Sequence, residues 1–221
     1  MIPERAVTLS AGSITLEARL AIPDGARGGV AVCHPHPLYG GDMDNPVVIR
    51  AVEVCVDAGL ATLRFNFRGV GASTGAHDDG RGEVDDLRSA LTHLRQALGD
   101  GAAIAAAGYS FGSMVTARAA SREPLAGIAL IAPPLAMRPL PDVETLARFD
   151  KPFLVVAGTQ DEYCAPATFE GLRTSLPRAT VRAIDGANHF FFGKLFPLGE
   201  AVAEWARSVA AAAASRSQRT G

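Results

Sequence analysis

Residues 103–120, with the sequence AIAAAGYSFGSMVTARAA, join an apolar run, a G-x-S-x-G pentapeptide and a helical pattern. The run 103–107 predicts a buried strand and 112–120 predict a helix, so the pentapeptide forms the turn between them. In so sharp a turn, side chains at Gly108 and Gly112 would clash with neighbouring backbone, while the Ser110 hydroxyl stays exposed. The helix N-terminus behind Ser110 favours developing negative charge. The stretch therefore predicts a nucleophilic serine, with an ordinary serine N-cap as the alternative.

Apolar runs alternate with helical patterns along the rest of the chain. Further strands are predicted at 14–22, 29–33, 60–67, 128–131, 153–157 and 180–184, and further helices at 47–59, 83–98, 167–176 and 198–213. This alternation predicts an α/β fold, with a mostly parallel central sheet and helices on both faces. We expect a single domain over residues 1–221, with a flexible tail at about 215–221.

The composition argues against several classes of protein. The chain is 48% hydrophobic and 20% charged, with a net charge of −2. Near-neutral charge speaks against nucleic-acid partners and against an anionic membrane surface. No apolar stretch approaches the roughly 20 residues of a membrane span, and no charged-then-apolar signal region begins the chain. The cysteines Cys33, Cys55 and Cys164 form no C-x-x-C pair, so we expect reduced thiols in a cytoplasmic protein.

A serine nucleophile needs a base, and the chain has five histidines. His189 follows the predicted strand 180–184, so it lies at the same sheet edge as Ser110, where the carboxyl ends of parallel strands meet. His93 falls inside a predicted helix and is interpreted as a helix-surface residue. His77 lies in a loop and is interpreted as solvated. His189 is therefore the predicted base.

The base in turn needs an acid that orients it. Asp161 follows the predicted strand 153–157 and precedes His189 in the chain. Asp185 and Glu162 compete for the same role, and a turn aspartate without catalytic purpose remains an alternative for Asp161. The chain order serine, aspartate, histidine is the order found in α/β-hydrolases.

Two further motifs carry a family resemblance. Residues 33–45, CHPHPLYGGDMDN, contain an HPHPLYGG loop that resembles a group of small bacterial predicted hydrolases, related to dienelactone-hydrolase-like esterases. Residues 64–73, RFNFRGVGAS, resemble the R-G-x-G-x-S loop that follows the fourth strand of α/β-hydrolase-fold serine hydrolases. The resemblance covers about residues 6–213 and implies the α/β-hydrolase fold. Because the segment 132–150 offers at most one short helix, minimal or no cap is expected.

The resemblance also implies an oxyanion hole, half of it in the loop that begins at His34. Pro35 and Pro37 have no N–H, so the expected donors are the backbone N–H groups of His36 and Phe111. His34 is expected to brace the loop by hydrogen bonding. No metal is expected, because His34 and His36 have no third ligand nearby, and the reaction needs no cofactor.

The expected function is hydrolysis of small or accessible carboxylic esters through an acyl-enzyme on Ser110. A thioesterase, lactonase or peptidase with the same triad is one alternative, and a non-catalytic α/β-hydrolase-fold binding protein is another. The expected partner is a small ester-like molecule, with no nucleic acid and no membrane, and a homodimer stays open. Substrate contacts are expected from mostly apolar residues of the same loops: Leu38, Tyr39, Leu135, Met137, Tyr163, Phe190 and Phe191. For residues 190–192 core packing is an equal alternative.

Overall fold

A computed structural model of the chain describes residues 2–99 and 101–217. In this part of the chain the strands are β1 (Arg5–Ala11), β2 (Ile14–Ala21), β3 (Gly28–Cys33), β4 (Ala61–Phe65), β5 (Ala103–Tyr109), β6 (Ile128–Ile131), β7 (Phe153–Gly158) and β8 (Thr180–Ile184). The helices are α1 (Pro46–Asp57), α2 (Gly82–Leu98), α3 (Phe111–Ala120), α4 (Val143–Ala147), α5 (Pro166–Ser175) and α6 (Leu195–Ser217). A 3₁₀ turn covers Pro37–Tyr39.

The strands form one sheet in the order β1-β2-β4-β3-β5-β6-β7-β8. The strands from β3 to β8 run parallel, whereas β2 is antiparallel to both β1 and β4. The predicted α/β-hydrolase fold, with a mostly parallel sheet, is confirmed. The edge strand β1 was not predicted, although it pairs with β2 along its whole length. Its largely exposed side chains carry little of the apolar signal that marks the inner strands.

The core lies on both faces of the sheet. On one face Leu87 of α2 and Val115 of α3 pack against the sheet, and on the other face Val48 of α1 and Val202 of α6 do so. Every residue of β3, β4, β5, β6 and β7 is buried. Strands covered on both faces need apolar side chains at every position, which explains their continuous apolar runs.

The ends of the chain differ in part from the expectation. Helix α6 continues through Ser217, so residues 215–217 of the expected tail are helical, and 218–221 lie outside the described residues. Between β6 and β7 the chain forms the short helix α4 and no larger insertion, which confirms the expectation of minimal or no cap. Along the described chain, none of the helices combines the length and the apolarity that a membrane crossing requires.

Candidate active site

Ser110 occupies a strained turn between β5 and α3. Its backbone has φ 53° and ψ −116°, in a region that residues other than glycine seldom adopt. A Cβ atom at Gly108 would lie 2.1 Å from the carbonyl oxygen of Gly112, and one at Gly112 would lie 2.6 Å from that of Cys33. A side chain at either motif glycine would therefore clash with the backbone, as the sequence predicts. The turn is anchored by the Ser110 N–H, which donates to the carbonyl of Ile131 at 2.8 Å.

The loops after β5, β7 and β8 bring Ser110, Asp161 and His189 together. The Ser110 hydroxyl donates to Nε2 of His189 at 2.9 Å. The opposite ring nitrogen, Nδ1, donates to Asp161 and lies 2.9 Å from each carboxylate oxygen. All three side chains are buried. Because Nδ1 carries the proton in this arrangement, the lone pair of Nε2 faces the serine hydroxyl.

Backbone groups hold the Asp161 carboxylate in place. Its Oδ1 accepts hydrogen bonds from the N–H groups of Tyr163 at 2.9 Å and Cys164 at 3.1 Å. The two competing acids lie elsewhere. Asp185 is exposed and accepts from the Thr159 hydroxyl at 3.4 Å, and Glu162 is exposed. Asp161 is therefore the acid that faces His189.

Two tyrosines surround His189. The Tyr109 hydroxyl donates to the His189 carbonyl at 3.0 Å, and burial raises the pKa of this phenol, so it remains a donor. The Tyr163 ring meets the imidazole edge-on, with ring centroids 4.7 Å apart. Tyr163 was expected near the site, but the contact of Tyr109 was not. Tyr109 is the variable residue before the serine in the motif, where the pattern carries no signal of its role.

The residues expected to supply the oxyanion hole lie side by side. Phe111 is the first residue of α3, and its ring centroid is 4.8 Å from that of His36. Among the described residues, neither of their backbone N–H groups donates to another protein group. Burial, together with the neighbouring His77 and Arg138 side chains, lowers the pKa of the His36 imidazole. Because both backbone N–H groups lack a partner among the described residues, they are available to a bound molecule.

His34 braces the loops after β3 and β4. Its Nε2 accepts from the Phe67 N–H at 3.0 Å, and its Nδ1 donates to the Pro35 carbonyl at 2.7 Å. Burial lowers the pKa of His34 to about 4, so the imidazole is neutral in the tautomer that these two bonds require. Within the part of the chain that the structure describes, no group of three or more His, Cys, Asp or Glu side chains could hold a metal ion.

The loops that were expected to contact substrate carry exposed apolar side chains. Leu38, Tyr39, Met137 and Phe190 are all exposed, with Tyr39 at 79%. Leu135 and Tyr163 are half-buried, and Leu135 packs against the core.

Two sequence interpretations need correction. Phe191 is fully buried in the core beneath α1 and α6, with its ring near Tyr109, so the expected substrate contact is wrong for this residue. Its neighbours Phe190 and Phe192 stack on each other outside that core. His77 is not solvated, because its side chain is 10% exposed and packs against the ring of His36.

Comparison with known proteins finds relatives along most of the chain. The family described as the α/β hydrolase fold matches residues 39–147, which include Ser110 and end before Asp161 and His189. An uncharacterised protein of Rickettsia prowazekii (strain Madrid E) is 34% identical over 181 residues, which are 79% of this chain and 76% of that protein. A solved α/β serine hydrolase without lid from Xanthomonas campestris is 33% identical, with a TM-score of 0.82 over 92% of this chain and 94% of that one. An α/β serine hydrolase homologue from Coxiella burnetii is 32% identical, with a TM-score of 0.78 over 90% of this chain and 96% of that one.

Proposed function

The chain belongs to the α/β-hydrolase family, and from this premise we propose that it hydrolyses small or accessible carboxylic esters through an acyl-enzyme on Ser110. One observation carries the proposal. The Asp161 carboxylate, the His189 imidazole and the Ser110 hydroxyl are joined by hydrogen bonds of 2.9 Å, each in the direction that proton transfer requires. A serine with no base beside it would have no comparable means of activation.

In the first half of the reaction, Ser110 Oγ attacks the ester carbonyl carbon and its proton passes to Nε2 of His189. Asp161 stabilises the imidazolium that forms. The carbonyl oxygen becomes an oxyanion, to which the N–H groups of His36 and Phe111 donate. The tetrahedral intermediate then collapses, the carbon–oxygen bond to the alcohol breaks, and His189 gives its proton to the leaving oxygen. The acyl group stays on Ser110.

In the second half, water takes the place of the alcohol. His189 removes a proton from the water as its oxygen attacks the acyl carbon, and the same two N–H groups again receive the oxyanion. Collapse of this intermediate breaks the bond to Ser110 Oγ, which recovers its proton from His189. The products are the alcohol and the acid, and the enzyme returns to its starting state.

The surroundings support small or accessible esters as the substrates. No large cap lies between β6 and β7, so a substrate meets the loops directly. Several exposed side chains of these loops, such as Leu38, Met137 and Phe190, are apolar and suit an uncharged acyl or alcohol group.

The test combines covalent labelling with kinetics. A fluorophosphonate should add one adduct to Ser110 of the wild-type protein, measured by intact-protein and peptide mass spectrometry. Ser110→Ala should abolish both the adduct and the hydrolysis of p-nitrophenyl acetate. Ser121→Ala is the matched control, because Ser121 is an exposed serine at the other end of α3, and it should retain both. A wild-type protein that neither labels nor hydrolyses any ester would instead be a binding protein.

The leaving group needs a separate comparison. Esters of increasing acyl length, thioesters, lactones and anilides should be assayed side by side, with kcat/KM for each. We expect the short p-nitrophenyl esters to be the best of these substrates. A thioester or lactone that exceeds the matched ester by about tenfold, which is about 1.4 kcal/mol in transition-state binding, would replace the ester assignment and leave the triad intact.

A further inference from the structure

His77 lies between β4 and α2, and its ring contacts both residues assigned to the oxyanion hole. The centroid of its imidazole is 4.9 Å from that of His36 and 5.3 Å from that of Phe111. The rings of His36 and Phe111 are themselves 4.8 Å apart. Three rings from three separate segments of the chain are thus in mutual contact. Two of these rings belong to the residues whose N–H groups would receive the oxyanion.

A buried carboxylate lies against the opposite edge of the His77 ring. Glu83, in the first turn of α2, is fully buried, and its two oxygens accept from the N–H groups of Asp78 and Gly80, each at 2.8 Å. Nδ1 of His77 lies 2.8 Å from Oε1 of Glu83, in a contact that is not aligned as a hydrogen bond. Nε2 of His77 lies 3.4 Å from a carboxylate oxygen of Asp79. Among the described side chains, His77 is the one within ion-pairing distance of Glu83.

The ring of His36 is coupled to the backbone of its own loop. Its Nδ1 accepts from the Leu38 N–H at 3.2 Å, and the His36 carbonyl accepts from the Gly41 N–H at 3.1 Å. A shift of the imidazole therefore shifts the peptide groups of this loop. Phe111 is held by α3, and its side chain is buried. Removing the His77 ring would therefore allow the His36 ring to move, and with it the His36 N–H relative to the Phe111 N–H.

We propose that His77 is a positioning residue, whose ring keeps the N–H groups of His36 and Phe111 at the spacing at which both reach one oxyanion. This inference rests on the proposed function. His77 acts through the other two rings and is assigned no contact with substrate. Loss of one oxyanion donor costs about 10²- to 10³-fold in kcat, and a misplacement of about 1 Å costs about 10²-fold.

The expected effect of His77→Ala is a fall of about 10- to 100-fold in kcat for p-nitrophenyl acetate, with KM changed less than about twofold. The reason is that the oxyanion forms after the substrate has bound. His77→Phe keeps a ring of similar size and should recover kcat to within about threefold of the wild type. His93→Ala is the matched control, because His93 is a half-buried histidine of α2 outside the three-ring contact, and it should change kcat less than about twofold.

A boronic acid separates positioning from partial unfolding. Phenylboronic acid forms a tetrahedral adduct on a catalytic serine and mimics the oxyanion. All rates are divided by the fraction of protein that a fluorophosphonate labels at the end point, so a misfolded fraction does not count. In His77→Ala the inhibition constant of the boronate should rise by about the same factor as kcat falls, whereas a fold defect alone would leave it unchanged.

The outcomes distinguish the two proposals. If the wild-type protein neither labels nor hydrolyses esters, the proposed function fails. If it does both, but His77→Ala keeps the wild-type kcat and boronate affinity per labelled site, the positioning role is overturned and the proposed function stands. A His77→Phe variant as impaired as His77→Ala also overturns it, because the ring contacts would then not position the donors.

Discussion

Replacing Asp161 by asparagine changes one oxygen to an NH₂ group at the centre of the hydrogen-bonded triad. The geometry dictates which oxygen is replaced. Oδ1 accepts from two backbone N–H groups, of Tyr163 and Cys164, so an NH₂ group in that place would meet two donors. The amide oxygen must therefore occupy the Oδ1 position. The NH₂ group then takes the Oδ2 position, 2.9 Å from Nδ1 of His189.

An NH₂ group at that distance favours the histidine tautomer whose Nδ1 has no proton. The proton then lies on Nε2, which can no longer accept the proton of Ser110. The imidazolium formed during attack also loses its counter-charge. A wrong tautomer in a triad of this kind lowers kcat by about 10⁴, or about 5 kcal/mol of barrier. We expect a loss of that order in Asp161→Asn.

The stability of the protein should change far less than its activity. The amide oxygen keeps both backbone hydrogen bonds, and removing a buried negative charge offsets the weaker bond to His189. We expect the free energy of unfolding to change by less than about 1 kcal/mol, which corresponds to about 2–4 °C in Tm for a chain of this size.

The assay is the steady-state hydrolysis of p-nitrophenyl acetate, with thermal unfolding followed by circular dichroism on the same samples. Asp185→Asn is the matched control, because Asp185 is exposed on the neighbouring loop, and its kcat should stay within about twofold of the wild type. A folded Asp161→Asn protein that keeps more than about a tenth of the wild-type kcat would refute the argument. The acid would then have to be sought at Asp185 or Glu162.

Two further predictions concern stability. Gly108→Ala should lower the free energy of unfolding by more than about 2 kcal/mol in urea titration, because its Cβ would lie 2.1 Å from the carbonyl oxygen of Gly112. The control Gly171→Ala, at a helical position with open space, should raise the free energy of unfolding by about 0.5–1 kcal/mol. Equal effects of the two substitutions would contradict the steric argument. His34 binds a proton near pH 6.5 when unfolded but has a pKa of about 4 when folded, so stability is retained above pH 6.5 and lost as the pH falls toward 4. Between pH 7 and pH 5 the loss of stability amounts to about 2 kcal/mol, because burial disfavours the charged imidazolium; protonation also removes the acceptor of the Phe67 N–H. His34→Gln should lack this part of the fall, and an identical pH dependence in that variant would assign it to other groups.

Most of the fold was predictable from local patterns. The inner strands are buried on both faces, so each appears in the sequence as a short apolar run, and the helices between them carry apolar stripes. The strand β1 was not predicted because it is an edge strand with few buried side chains. The last residues of α6 were not predicted to be helical because the sequence there is mostly polar and lacks a repeating apolar pattern.

The triad was predictable because each member follows a strand of a parallel sheet. The position of Ser110, Asp161 and His189 at one sheet edge follows from the topology alone. The topology does not determine whether a loop side chain points into the core or toward solvent. Phe190 and Phe191 are identical neighbours in sequence, yet one is exposed and the other is fully buried in the core.

The amino-acid sequence of this protein therefore specifies the inner strands, most of the helices and the three side chains of the hydrogen-bonded triad, since apolar periodicity and the tight glycine turn act over a few residues. The choice of Asp161 over Asp185, the burial of Phe191 and the three-ring contact of His36, His77 and Phe111 arise only in the folded chain. Each depends on groups from segments far apart in sequence, whose distances are set by packing of the whole sheet and its loops.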